Sequence, residues 1–179
     1  MTAPPDVDTT RVLGNWCRHV PDAGAAPDPF HRGIDSDGRW QTTAVCGGFY
    51  LADEPDTAWS EWYRFLAAAG LAPAANLPRY LLRYQLDLRL ADLRSADALH
   101  RVGLQPPDPD DDWRPFQAIG AALYATGHAG LITTSAARPK AHVVCLFRGP
   151  RMLTPDDVTF QPPAEHHATA PRIPRGLRT

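Results

Sequence analysis

Glu61 is the acidic residue best placed for chemistry. On a helical wheel it lies beside the stripe formed by Ala58 and Phe65, at the edge of whatever that stripe buries. Glutamate is seldom taken out of water without a task, although a solvated carboxylate bordering the core gives the same pattern. Two arginines offer the complementary charge. Arg18 closes an apolar stretch and Arg39 stands in a Gly38-Arg39-Trp40 turn. Their guanidinium groups can converge on a diphosphate from separate elements, with a planar fork that lysine lacks. Taken singly, each also reads as a surface arginine. Tyr50 ends a strand just before the helix of Glu61, where side chains enter clefts, or simply closes the strand as an aromatic. Ser135 follows the apolar run Gly130 to Ile132 and precedes a turn, a place to offer a hydroxyl to a ligand or to cap the turn. No glycine-rich phosphate loop, Cys/His metal set or Ser/His/Asp arrangement accompanies them. His166 and His167 read as solvated residues of a tail.

The elements that must hold these residues follow from periodicity. Val12 to Val20 reads as a first strand, and a Pro-, Gly- and Asp-containing loop from Pro21 to Gly38 follows, long enough inside a compact domain to suggest a function. Thr43 to Leu51 is a second strand. Asp53 is placed to cap a helix starting near Pro55, whose apolar positions Ala58, Trp59, Trp62, Phe65, Leu66 and Ala69 recur at helical spacing up to Gly70. From Arg79 to Arg89 the spacing changes to strict alternation, with Tyr80, Leu82, Tyr84, Leu86 and Leu88 on one face of a half-buried strand. Ser95 caps a short helix to Val102, and the acidic run Asp110 to Asp112 precedes a helix from Trp113 to Thr126, where the helix dipole welcomes negative charge. Gly130 to Ser135 and Ala141 to Phe147 complete the clear strands, with Asp157 to Phe160 a weaker one. The expected architecture is a single α+β domain, a mixed β-sheet core with flanking helices and no internal repeat.

Composition narrows the classes. At 179 residues the chain buries one sizeable core. A formal net charge of -2 speaks against wrapping nucleic acid or anionic lipid, so any attraction to phosphate is local. Lys140 is the only lysine among 18 basic residues, which suits bidentate anion recognition and equally suits the codon bias of a GC-rich genome. Cys17, Cys46 and Cys145 lack the spacing of a zinc site and the even count of a disulfide framework, and read as buried, reduced thiols. Residues 1–10 are polar and proline-rich, and no apolar run approaches membrane-spanning length, so the expected compartment is the cytoplasm. Proline content suggests a flexible N-terminus over 1–10, a folded body over 11–161 and a Pro-rich C-terminal tail over 162–179.

The order of these residues carries more than each alone. The run Asn15-Trp16-Cys17-Arg18, then Gly38-Arg39-Trp40, Tyr50-Leu51-Ala52 with Ala58 and Glu61, Gln117 to Gly120, and Gly130 to Ala136 with Ser135 resembles the RES-domain family over about residues 13–150. Two positions depart from that pattern: Gln41 where asparagine is usual, and Thr134 where proline often precedes the serine. Arg11 is the less favoured alternative to Arg18 as the first motif arginine. The resemblance implies a fold related to ADP-ribosyltransferases. It also implies an enzyme that degrades NAD⁺ by hydrolysis or phosphorolysis, paired with an antitoxin and able to oligomerise with it. NAD⁺ is then a substrate, phosphate a co-substrate in phosphorolysis, and no cofactor or metal is required. Glu61, Arg39 and Tyr50 are implied as catalytic, and Arg18, Ser135 and Gln117 as substrate-binding. Transfer of ADP-ribose to a macromolecule and a silent protein-binding module are the alternative readings.

Overall fold

The computed structural model describes residues 5–22, 28–30, 36–149 and 153–178. Most of the long loop expected between Pro21 and Gly38 therefore lies outside the described residues, as do residues 1–4 of the expected N-terminal segment. The elements in chain order are β1 (Thr9–Val20), β2 (Gly47–Ala52), α1 (Pro55–Ala68), a 3₁₀ turn (Pro73–Asn76), β3 (Arg79–Leu93), α2 (Ala96–Arg101), α3 (Arg114–Ala125), β4 (Gly130–Thr134), β5 (His142–Arg148) and β6 (Val158–His167). They form one α+β domain around a mixed sheet of six strands.

Alternation along the strands explains the core. The sheet runs β1-β2-β5-β4-β3-β6, and a further antiparallel pairing of β1 with β3 closes the first five strands on themselves. Val12, Trp16 and Val20 of β1, Phe49 and Leu51 of β2, the even-numbered Leu82 to Leu90 of β3, Ile132 of β4 and Val144 and Leu146 of β5 all face inward and pack together. Period-two patterning places a whole apolar set on one face, and closure gives that face a common interior. Two helical layers cover the outside. α1 lays Ala58, Trp59, Trp62, Tyr63 and Leu66 against Cys17, Ala52 and Leu81. Leu99 of α2 and Phe116 and Leu123 of α3 pack on Leu93, Leu131, Cys145 and Phe147. Each such fully buried side chain contributes about 1.5–3 kcal/mol of transfer free energy.

Several local expectations are corrected by tertiary contacts. Asp53 does not cap α1: its Oδ2 accepts the His142 backbone N–H at 2.6 Å, and Glu54 occupies the N-cap without a side-chain cap bond. Ser95 does cap α2, accepting the Ala98 N–H at 3.0 Å. Phe65, counted on the buried stripe of α1, is 60% exposed. The core face is centred on Trp59, Trp62 and Leu66, and Phe65 lies to one side of it, with Glu61.

The boundaries at 10 and 161 are also corrected. Thr9 and Thr10 are already paired with Ala91 and Leu90, and β6 continues to His167, which pairs with Arg79. Prolines are compatible with β6 because it is an edge strand, and Pro162 and Pro163 fall in the register shift between the Arg83–Gln161 and Leu81–Glu165 pairs, where no ladder donor is required. His166 lies against Tyr80 and His167 packs edge-on against Trp59 at 4.8 Å between ring centroids, so neither is a free tail residue. Beyond β6 the Tyr63 hydroxyl donates to the Pro171 carbonyl, Leu177 packs on the α1 layer, and the Arg178 N–H donates to Ala137 O at 2.8 Å. Deleting residues 162–179 should therefore lower the thermal midpoint by more than about 6 °C, the equivalent of about 2–3 kcal/mol at this chain length. A circular-dichroism melt with an unshifted midpoint would restore the boundary at 161.

His19, at the end of β1, stacks on Trp59 with ring centroids 5.7 Å apart, and its Nδ1 accepts from Arg79 Nη2 at 2.5 Å. Loss of water around the ring, with Arg79 and Arg18 nearby, lowers its pKa to about 3. The unfolded chain takes up this proton near pH 6.5 and the folded chain does not. The resulting stability is complete above that pH and is lost as pH falls toward 3, with a slope of up to about 1.4 kcal/mol per pH unit. Urea midpoints measured from pH 7 to 4 should fall more steeply for the wild type than for His19→Gln; parallel curves would remove His19 from the acid response.

Candidate active site

A cleft of about 390 Å³ opens on the outer face of β2, between α1 on one side and the Ser36–Trp40 turn with Pro107 and Trp113 on the other. Glu61, Arg39, Tyr50 and Arg18 all line it. Residues far apart in sequence thus converge because β2 forms the floor and its two neighbours supply the walls.

Tyr50 fixes the turn. Its hydroxyl accepts the Trp40 backbone N–H at 3.0 Å and donates to the thiol of Cys145, its cross-strand partner on β5. Burial pushes the Tyr50 pKa well above its usual value, so the hydroxyl stays protonated and can donate and accept at once. A Cβ at Gly38 or Gly48 would overlap the Tyr50 ring or hydroxyl, which is why both neighbours are glycine. Gln41, 2% exposed, accepts the Gly38 N–H at 2.5 Å and donates to Ser36 O at 2.9 Å. The turn is therefore closed with glutamine where asparagine was the expected residue.

α3 holds the same turn from behind. Gln117 Nε2 donates to Gly38 O at 2.9 Å, and one turn on, Gly120 leaves room for the Trp40 carbonyl, which any Cβ there would overlap. Gln117, expected on the substrate, is not among the residues that line the cleft, and its side chain supports the Gly-Arg-Trp turn. Arg39 is carried on that turn with 8% exposure. Its Nη1 donates to Asp111 Oδ2 at 2.8 Å and its Nη2 to Asp108 O at 2.5 Å, with the Phe116 ring 5.1 Å from the guanidinium. Burial lowers the Arg39 pKa, and Asp111 works against that shift. The acidic run before α3 thus gives Asp111 to Arg39, while Asp112 pairs with the Arg114 guanidinium and also accepts the Arg114 backbone N–H at 3.0 Å, at the first residue of the helix.

Glu61 projects from α1 with its side chain 26% exposed. Its Oε1 accepts from Ser135 Oγ at 2.6 Å, and its Oε2 accepts from Arg64 Nε at 3.0 Å. Ser135 is fully buried and its Oγ also accepts the Arg138 N–H at 3.0 Å. The serine expected to meet a nucleotide instead aims the carboxylate, and it lies behind the cleft wall formed by Thr134 and Ala136. Arg64 was missed, although its i,i+3 spacing from Glu61 was a usable signal. Arg18 belongs to the site through strand divergence: β1 and β2 share one register pair, Cys17 with Ala52, and beyond it Arg18 Nη1 donates to Tyr50 O at 3.2 Å. Arg11, the alternative, lies outside the cleft in an exposed bidentate pair with Asp87 at 2.7 Å.

Chemically, the cleft offers the Glu61 carboxylate, oriented on both oxygens, with guanidinium groups around it. Among the described residues no group of three or more His, Cys, Asp or Glu is placed to hold a metal ion. Cys17, Cys46 and Cys145 are buried and form no disulfide. No helix of the described residues is long and apolar enough to cross a membrane. The close approach at Gly120 yields a test. Gly120→Ala should cost about 1–3 kcal/mol of stability through overpacking and should also displace Trp40, seen as a changed tryptophan emission maximum. A variant with wild-type stability and emission would show that the turn does not rest on α3.

Comparison with known proteins bears on the fold and the family. A chain of the crystal structure of the M. tuberculosis MbcT–MbcA toxin–antitoxin complex superposes with a TM-score of 0.73, at 21% sequence identity, over 88% of this chain and 86% of that one, which establishes a shared fold. No curated protein matches the sequence. The RES domain model matches residues 15–166, from the start of the arginine motif to the penultimate residue of β6, and the chain belongs to the RES domain family.

Proposed function

We propose that this protein degrades NAD⁺ by cleaving the bond between nicotinamide and ribose, and that it is the toxin of a toxin–antitoxin pair acting in the cytoplasm. The observation that carries the reading is the Glu61 carboxylate, held on both oxygens at the cleft by Ser135 and Arg64. Membership of the RES domain family and a fold shared with a chain of a toxin–antitoxin complex support it.

The chemistry suits a single carboxylate. As the C1′–N bond breaks, its electron pair passes to the pyridinium nitrogen and nicotinamide leaves neutral, so no acid is needed to protonate it. Positive charge develops on the ribose, and a fixed anion stabilises it without reorganising. Water or phosphate then attacks C1′, giving ADP-ribose with release of a proton, or its 1-phosphate. Ser135 and Arg64 hold the carboxylate still, while Tyr50, Gln117 and Gly120 hold the turn that carries Arg39. Arg18 and Arg39 supply positive potential to the diphosphate side of the cleft. NAD⁺ enters as substrate and no cofactor is required. A cognate antitoxin protein is the expected partner, since free NAD⁺ cleavage would harm the host cell, and a complex of the two is the expected oligomer.

Glu61→Gln keeps the shape and removes the charge. It should fold with the wild-type melting profile and lose roughly a hundredfold to a thousandfold in nicotinamide release, about 3–4 kcal/mol of transition-state stabilisation. The loss should fall on kcat more than on KM, because the charge at ribose grows only as the bond breaks. Purified protein incubated with NAD⁺, with and without phosphate, supplies the assay. Undiminished cleavage by Glu61→Gln would sink the mechanism, and radiolabel transferred to protein would replace it with ADP-ribose transfer.

A further inference from the structure

We infer that Arg64 is the residue that recognises the phosphate adjacent to the ribose being cleaved, and so sets the preference of the cleft for nucleotides over nucleosides; this rests on the reading proposed above.

The three cleft arginines differ in how far their donors are committed. Arg39 spends both Nη groups on Asp111 and Asp108 and is nearly inaccessible. Arg18 gives Nη1 to the Tyr50 carbonyl and lies over the Phe49 ring, 4.9 Å from its centroid. Arg64 gives only Nε to Glu61, and among the described residues its two Nη groups have no hydrogen-bond partner. Its side chain is 17% exposed and lines the cleft. An arginine fork held at one nitrogen, with the remaining donors turned to a cleft, is preorganised for an anion.

Its place along the helix also fits. Arg64 lies one turn beyond Glu61, an axial advance of about 5 Å, and a ribose ring separates its anomeric carbon from its 5′-phosphate by a similar length. A sugar with C1′ at Glu61 can thus bring its phosphate to Arg64 without leaving the α1 wall. The electrostatics agree: the Arg64 charge acts against that of Arg39 across the cleft, and a phosphate between them would relieve this repulsion. Arg64 therefore has two roles, orienting the carboxylate through Nε and binding the phosphate through Nη.

The two roles are separated by a ratio. Nicotinamide release is measured from NAD⁺, nicotinamide mononucleotide and nicotinamide riboside with wild type, Arg64→Gln and Arg64→Lys. Any disturbance of Glu61 lowers all three substrates together and cancels in the ratio of kcat/KM for the mononucleotide to that for the riboside. That ratio should fall by roughly ten- to a hundredfold in Arg64→Gln and less in Arg64→Lys, which keeps a charge without the fork. A ratio unchanged from wild type in both variants overturns the inference and leaves Arg64 as a support for Glu61 alone. Calorimetric titration with ADP-ribose provides the arm that needs no turnover. Weaker binding by both variants, with wild-type melting profiles, supports the phosphate contact even if wild type cleaves none of the three substrates, an outcome that would sink only the proposed reaction. Equal ADP-ribose affinity in wild type and variants, or no binding by wild type, overturns it.

Discussion

The hydrogen bond from the buried Ser135 hydroxyl to Glu61 joins the two halves of the fold at the point where chemistry is possible. Glu61 rides on α1, which packs outside β1 and β2, whereas Ser135 follows β4, on the other side of β5. A hydroxyl without access to water must find a partner within the protein, and leaving it unmet costs about 1–3 kcal/mol. The contact thus constrains the position of α1 over the sheet as well as the orientation of the carboxylate. Arg138 extends the constraint, since its N–H donates to Ser135 Oγ and its guanidinium reaches Glu54 and Thr57 at the start of the same helix.

The opposite wall is built on a different principle, close approach in place of charge. Trp40 is 1% exposed and meets Phe116 edge-on at 5.1 Å, while its backbone N–H and carbonyl are taken up by Tyr50 and by the gap at Gly120. Arg39 inherits its position from this packing and its orientation from Asp111. One wall can therefore shift only by breaking aromatic packing, and the other only by unsatisfying a buried hydroxyl. A rigid cleft of this kind suits a reaction whose barrier is lowered by fixed charges.

Much of this was legible because local patterns matched what tertiary structure demanded. The alternation from Tyr80 to Leu88 reads directly as the inward face of β3, and the Trp59, Trp62, Leu66 spacing as the buried face of α1. Convergence of Arg18, Arg39, Tyr50 and Glu61 was implied by the family resemblance that their order along the chain carries, and all four line the cleft. What escaped depends on partners distant in sequence. Asp53 and Asp111 look like caps, and a backbone amide of β5 and a guanidinium outbid the helix ends for them. Pro162 and Pro163 look like a terminus, yet an edge strand with a register shift asks nothing of their missing N–H groups. Ser135 and Gln117 have the right types for ligand binding, and only the fold reveals that they face the protein's own carboxylate and turn.

The closure of β1 on β3 has a consequence in time. Twelve register pairs join residues 9–20 to residues 80–91, and β2 and β5, 90 or more residues apart, must also meet before the ring is complete. Contacts of such long sequence separation form late, because loop closure must be met before pairing rewards it. Arg18 emerges from the ribosome early, but the serine that aims Glu61 and the strand that floors the cleft with β2 emerge in the last third of the chain. A growing polypeptide consequently carries no assembled site for most of its synthesis, and the site comes into being only as the whole domain closes.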